Sequence, residues 1–153
     1  MSREIKFRAW YEPAKEMFNV DVLAISPVGW DSEGTGVSLA YQPSIKVMQY
    51  TGLKDENGVE IYEGDIVKCD NFMNKYDAVV KFGDYKQDNS AGEYVSAVCT
   101  GFYVEAIDPE LYTEWGIRVV PEYEETTSLQ TYESVEVIGN IYENPELLEV
   151  QHD

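Results

Sequence analysis

"YTGLKDENGVEIYEGDIVKCD", residues 50 to 70, is the stretch on which the reading of the fold turns. Asp55-Glu56-Asn57-Gly58 is the strongest turn signal in the chain. Asp suits the first position of a type I turn, and Asn-Gly readily takes the positive φ that closes a hairpin. After the turn, Val59, Ile61 and Glu63 alternate with Glu60 and Tyr62, a two-residue period that assigns the two sets to opposite faces of a strand. Gly64-Asp65 breaks that strand, and Ile66 to Cys69 begins another. The short Asp65 carboxylate is expected to bond nearby backbone N–H groups rather than a ligand. The stretch therefore reads as a register-setting hairpin feeding a sharp corner, with Asp55, Asn57, Gly58, Gly64 and Asp65 as its turn residues.

Working outward, the same short-run pattern continues in both directions. Upstream, Ile5, Phe7 and Ala9 alternate with Lys6 and Arg8 as a half-buried strand, residues 12–15 turn it, and Met17 to Ile25 returns. Residues 27–36 hold three glycines without periodicity and read as a loop. Val37 to Tyr41 follows as an edge strand, and Ile45 to Thr51 leads into the central stretch. Downstream, a turn at residues 71–75 precedes a strand at Asp77 to Phe82. Residues 84–92 are polar and expected to be mobile. Glu93 to Cys99 and Phe102 to Ile107 are expected to form a hairpin about Thr100-Gly101. Asp108-Pro109 has the cap-then-proline form of a helix start, and Asn144-Pro145 repeats it, so short helices are predicted near 109–115 and 145–150. Ile117 to Val120 and Val135 to Tyr142 read as strands, and residues 122–128 as a solvated run.

The expected fold class is thus mainly β, a β-rich α+β arrangement in which short-strand hairpins form a small barrel-like sheet. Aromatics at 13%, twelve of them Tyr, suit that composition. At 153 residues the chain fits a single domain over 1–153, with an N-terminal hairpin subregion 1–50, a central meander 51–107 and an acidic part 108–153.

Charge narrows the choice of partner. Residues 1–86 hold 14 acids and 10 bases, net -4, whereas residues 87–153 hold 15 acids and only Arg118, net -14. Phosphate backbones are drawn to clustered cations, so direct nucleic-acid or anionic-membrane binding is not expected. Basic proteins suit this field better. Cys69 and Cys99 lack CxxC spacing and read as free thiols, and no apolar run approaches the roughly 20 residues of a membrane span. The charged start MSREIKFRAW has no signal-peptide apolar core, so a cytoplasmic location is expected.

Catalytic chemistry finds little to use. His152 is the single histidine, next to the chain end, which leaves Ser/His/Asp and Cys/His catalysis without a positioned base. Two cysteines and one histidine do not make a structural zinc site, and no phosphate-binding glycine loop is present. The 55–58 turn lacks the spacing of a calcium loop. No enzyme activity, metal or cofactor is expected. A carboxylate-based, metal-dependent hydrolase stays as an alternative, because the chain has 29 acids that include every side chain such chemistry requires.

"MQYTGLKDENGVEIYEGDIVK" (48–68), with "FRAW" (7–10) and "VEVIGNIYENPELL" (135–148), resembles the YopX family of small proteins encoded by phages and prophages of Gram-positive bacteria. The resemblance implies a mainly β fold and phage or prophage origin. It brings no catalytic residues. The function expected is that of a phage accessory protein, a non-enzymatic module that binds a protein of basic character, with self-association also open. An acidic DNA mimic occupying a nucleic-acid-binding protein is the second binding reading, and a minor virion component a further one. The candidate partner surface is Trp30 in its glycine-rich loop, with Tyr123 and Tyr132 flanking the acids Glu122, Glu124 and Glu125.

Overall fold

The Val, Ile, Thr and Tyr content of the short runs is realised as strands almost throughout. The computed structural model describes residues 4–20, 22–24, 36–38, 44–71, 74–87, 97–121, 124–129 and 134–150. Among them lie eleven strands: β1 (Phe7–Tyr11), β2 (Glu16–Val20), β3 (Val22–Ala24), β4 (Gly36–Ser38), β5 (Ile45–Lys54), β6 (Glu60–Tyr62), β7 (Asp65–Asp70), β8 (Lys75–Gln87), β9 (Ala97–Ala106), β10 (Thr126–Ser128) and β11 (Ser134–Asn140). The fold is mainly β. The chain divides into two compact units, Met1–Gly52 and Leu53–Asp153.

In the first unit β1 runs antiparallel to both β2 and β5, with Trp10 opposite Met17 on one side and Lys46 on the other. A central strand has neighbours on both edges, and here both Ala9 and Trp10 are buried. The expected alternation from Ile5 therefore fails, since Ile5 is exposed and the strand starts at Phe7. Residues 12–15 do turn, with Lys15 at φ 56. β3 and β4 pair in parallel. The glycine-rich loop expected at 27–36 lies outside the described residues except for Gly36.

The second unit contains a five-stranded sheet in the order β10-β9-β8-β7-β11. Its core gathers Val67, Tyr76, Val80, Val104, Val120 and Leu129. Ile61 and Tyr62, adjacent on β6 and so on opposite faces of it, are both buried, which means that both faces of this short strand are covered, while Val59 before it is exposed.

The largest departure from expectation concerns β8 and β9. Residues 84–87, expected in a polar, mobile stretch, continue β8, and β9 runs unbroken through Thr100-Gly101, where a turn was predicted. Gly83 pairs with Gly101, at φ 150 and φ 157. That backbone region is open in practice to glycine alone. It lets the two-stranded ribbon bend instead of turning. Tyr85 consequently stacks on Tyr103 with ring centroids 4.9 Å apart, although its strand partner is Cys99. Thr126 donates its hydroxyl to the Lys86 carbonyl at 2.9 Å, and Ser128 N–H donates to Gln87 Oε1 at 3.2 Å, even though β10 pairs with residues 103–105. The far end of β8 thus curls back over β10, giving the sheet its partial barrel form.

Neither predicted helix forms as expected. Asp108 Oδ1 does accept the Glu110 N–H at 3.1 Å, but the Leu111 carbonyl that would continue a helix accepts the Val119 N–H at 2.8 Å. A long-range partner takes the acceptor, so 109–115 becomes part of a small hairpin. The second site yields one 3-10 turn, Pro145–Leu148, which the Asn144 side chain does not cap. Its Oδ1 accepts the Asn140 N–H instead, at 3.2 Å. The run 122–128 is likewise not simply solvated, because Thr126–Ser128 forms β10 and Thr127 is fully buried.

Candidate functional site

The hairpin at 111–119 is fixed from its base to its tip. An isolated bridge joins Tyr112 to Arg118. Thr113 N–H donates to the Ile117 carbonyl at 2.8 Å, and Gly116 N–H to the Thr113 carbonyl at 2.9 Å. The Thr113 hydroxyl oxygen accepts from Trp115 N–H at 3.3 Å and Ile117 N–H at 3.1 Å, and Gly116 supplies the positive φ, 75°. At the base, Val119 and Val120 are buried in the core. Arg118 ties the hairpin down, donating Nε–H to the Pro109 carbonyl at 2.9 Å and Nη2–H to Glu125 Oε1 at 2.6 Å, with Glu110 Oε1 at 3.5 Å.

The outward side chains of this fixed loop are apolar. Trp115 is 81% exposed, Ile117 60% and Tyr112 51%. Glu110 and the exposed Glu114 lie on the same segment, and the Tyr112 hydroxyl donates to Glu110 Oε2 at 3.4 Å. A tryptophan held in water on a well-bonded turn does nothing for the core. It has the character of an interface anchor, a large exposed ring on a fixed turn with acidic residues on the same segment.

At the foot of the hairpin lies a cleft of about 330 Å³. Four carboxylate side chains line it, Asp77, Asp108, Glu146 and Glu149, over apolar walls that include Ile107, Leu111 and Leu147. Among the described residues no three His, Cys, Asp or Glu side chains are grouped so as to hold a metal ion. Nor is any helix there long and apolar enough to cross a membrane.

The residues expected to form a partner surface are distributed differently. Trp30, Glu122, Tyr123 and Tyr132 lie outside the described residues. Glu124 Oε2 accepts from Asn71 Nδ2 at 2.9 Å and from the Tyr76 hydroxyl at 3.1 Å. Glu125 holds Arg118. Both carboxylates serve the protein's own framework. The turn residues of the central stretch act on backbone: Asp55 Oδ1 accepts from Asn57 N–H (2.8 Å) and Val59 N–H (2.9 Å), Gly58 takes φ 82, Gly64 φ 85, and buried Asp65 accepts the Tyr62 N–H at 2.8 Å. Tyr112, Trp115 and Ile117 were missed by sequence reasoning. Their signal is Thr113-Glu114-Trp115-Gly116, which repeats the spacing of Asp55-Glu56-Asn57-Gly58, with an oxygen-bearing side chain first and glycine fourth.

With this geometry in place, comparison with known proteins is informative. A family model described as YopX protein matches residues 6–149. The chain belongs to the YopX family. Similar solved structures include protein EF1440 from Enterococcus faecalis, 26% identical over 97% of this chain and 100% of that one, with a TM-score of 0.49. The YopX protein from Bacillus subtilis is 24% identical over 94% of this chain and 98% of that one, with a TM-score of 0.47. A search of curated proteins found no match. In this YopX chain the stretches that carry the resemblance build scaffold. Residues 7–10 pair with 46–49 of β5, and β11 pairs with β7, while Ile141 N–H reaches the Gly64 carbonyl at 2.9 Å. The Trp115 hairpin falls between those stretches.

Proposed function

We propose that this member of the YopX family is a non-enzymatic, cytoplasmic accessory module of a phage or prophage that binds a basic protein through the Tyr112–Trp115–Ile117 hairpin. The observation that carries this reading is Trp115, 81% exposed at the tip of a turn in which the N–H groups of Thr113, Trp115, Gly116 and Ile117 are all hydrogen-bonded. A rigid aromatic anchor has little conformational freedom left to lose on binding. The acidic excess steers a basic partner toward it and raises the association rate. Phage origin rests on the family resemblance. The DNA-mimic reading is less favoured, since several acids are paired internally: Asp77 with Lys68 at 2.7 Å, Glu105 with Lys81 at 3.0 Å and Glu125 with Arg118 at 2.6 Å.

The test is affinity capture from host cells, infected and uninfected, with the wild type and Trp115→Ser side by side at low and moderate salt. The expected result is a protein retained by the wild type, more strongly at low salt, and lost from the variant. Identical retention by both sinks the proposal. Trp115 is surface-exposed, so the variant's circular dichroism should match the wild type and exclude misfolding.

A further inference from the structure

We infer that the open edge of β9 at Ala97–Gly101 pairs with the same edge of a second copy of this chain, in a two-fold antiparallel contact separate from the Trp115 hairpin. β9 lies between β8 and β10 in the sheet, but β10 pairs only with residues 103–105, whereas β8 runs beside β9 from Ala106 to Ala97. One side of residues 97–101 therefore has no strand against it among the described residues. The bonds that β10 makes across the curl go to Lys86 and Gln87, on the other strand of the ribbon, and leave this edge bare. Ala97, Val98 and Thr100 are exposed, Val98 to 70%. Pairing with β8 holds the backbone of these residues extended, so the N–H and C=O groups directed away from β8 are already aligned for a further strand.

Edges left open in monomers are guarded by charge, by proline or by a covering loop. The outer edge of β11 has two of these, the exposed Glu136 and the bonds from Asp55 and Glu56. The β9 edge has neither charge nor proline: residues 94–104 form the longest uncharged run in residues 87–153. That half of the chain carries a net -14, so two copies repel each other over most of it and least along this run. A basic partner, by contrast, finds no carboxylate here to pair with. An antiparallel pairing of a strand with its own copy is two-fold symmetric, so the same residues satisfy both edges at once. Five paired residues a side bury far less than the roughly 800 Å² per partner of a stable complex. The association is therefore weak, with a Kd on the order of 10–100 µM.

Sedimentation velocity of the whole protein tests this at concentrations about ten-fold below and above that Kd. Reductant is kept present so that a disulfide through the free thiol of Cys99 does not mimic association. The wild type is expected to pass from monomer to dimer, and amide hydrogen exchange within 97–101 to slow as concentration rises. Val98→Lys and Val98→Glu bring like charges together near the two-fold axis, and each is expected to weaken association at least about five-fold. The opposite signs matter: if only the net charge of the chain governed association, the lysine variant would associate more strongly. Val98 is a surface residue, so the circular dichroism of both variants should match the wild type. A monomer at every concentration, exchange at 97–101 that ignores concentration, or association undiminished in either variant overturns the inference. Trp115→Ser is expected to dimerise like the wild type. Loss of the dimer there would place the contact on the hairpin and overturn the β9 pairing, whatever the hairpin captures from cells.

Discussion

The Asp55 carboxylate accepts the backbone N–H of Val137 at 2.9 Å, across 82 positions of chain. Glu56 N–H donates to the Val135 carbonyl at 3.1 Å beside it. β11 is the last strand of its sheet, and these two bonds occupy part of the edge that β7 does not use. The central turn therefore closes its own hairpin and also covers an edge strand, a place where bare N–H and C=O groups invite unwanted pairing.

Asp55→Ala removes the acceptor of three backbone N–H groups, those of Asn57, Val59 and Val137. All three bonds are only partly buried, and such a bond is worth about 1 kcal/mol, so a loss of about 3 kcal/mol is expected. Asp55→Asn keeps one oxygen and should lose about half as much. Urea denaturation of the three proteins checks the order. Equal stability of Asp55→Ala and wild type would remove this turn from its central place.

The same carboxylate makes stability depend on acid. Burial pushes the Asp55 carboxyl upward, but the N–H donors of Val137, Val59 and Asn57 together outweigh it and hold the group below its ordinary 3.8. The unfolded chain then takes up the proton first on acidification. The stabilisation is complete above the ordinary value and fades as pH falls through the lower folded one. The stability gap between wild type and Asp55→Asn should accordingly shrink between pH 7 and about pH 3. A constant gap across that range would contradict the assignment.

Gly58 stands at φ 82 with nothing within 4 Å of the position its Cβ would take. Substitution there is opposed by backbone strain and not by crowding. Gly58→Val should cost on the order of 1–3 kcal/mol, and Gly58→Ala about 1 kcal/mol. Gly116 at φ 75 is equally open and should give a similar value for alanine. Thermal melts of the three variants measure this, and an unchanged melting temperature in Gly58→Val would refute the turn.

How much was legible follows from where each residue finds its partner. Asp55 Oδ1, Asn57 and Gly58 bond within four positions, so the turn is written locally, whereas the Asp55 Oδ2 bond to Val137, 82 positions on, is not. Thr113 and Gly116 obey the same rule, but the Asp108-Pro109 helix signal upstream of them masked it. Glu124 looked like solvent-facing charge because its partners Asn71 and Tyr76 lie 53 and 48 positions away. No local pattern reports such a bond. Gly101 was misread for another reason: glycine marks both a turn and a bent strand, and only its pairing with Gly83 distinguishes them.

The corner after β11 offers a tight steric test. A Cβ on Gly139 would lie 2.6 Å from Asn144 Oδ1 and 2.8 Å from its Cγ. Asn144 also accepts the Asn140 N–H, so it does not yield freely. Gly139→Ala should destabilise by about 1–3 kcal/mol. In the Asn144→Gly background that cost should fall to less than half, a coupling that a double-mutant cycle reads directly. Additive effects would show that the two residues do not press on each other.

The bend at Gly83 and Gly101 makes the strongest demand on sequence. At φ 150 and φ 157 both positions are strained for any L side chain, although each has open space around it. Valine at either one favours an ordinary extended strand, and the ribbon would straighten. Straightening separates Tyr85 from Tyr103 and breaks the bonds from Thr126 to Lys86 and from Ser128 to Gln87. Gly83→Val and Gly101→Val should each cost about 1–3 kcal/mol. The two changes together should cost less than their sum, because the first already abolishes the bend that the second opposes. Tyrosine near-ultraviolet circular dichroism should weaken with the lost stack while the far-ultraviolet β signal persists. Retention of the tyrosine band in both variants would mean that the curl does not depend on the glycine pair.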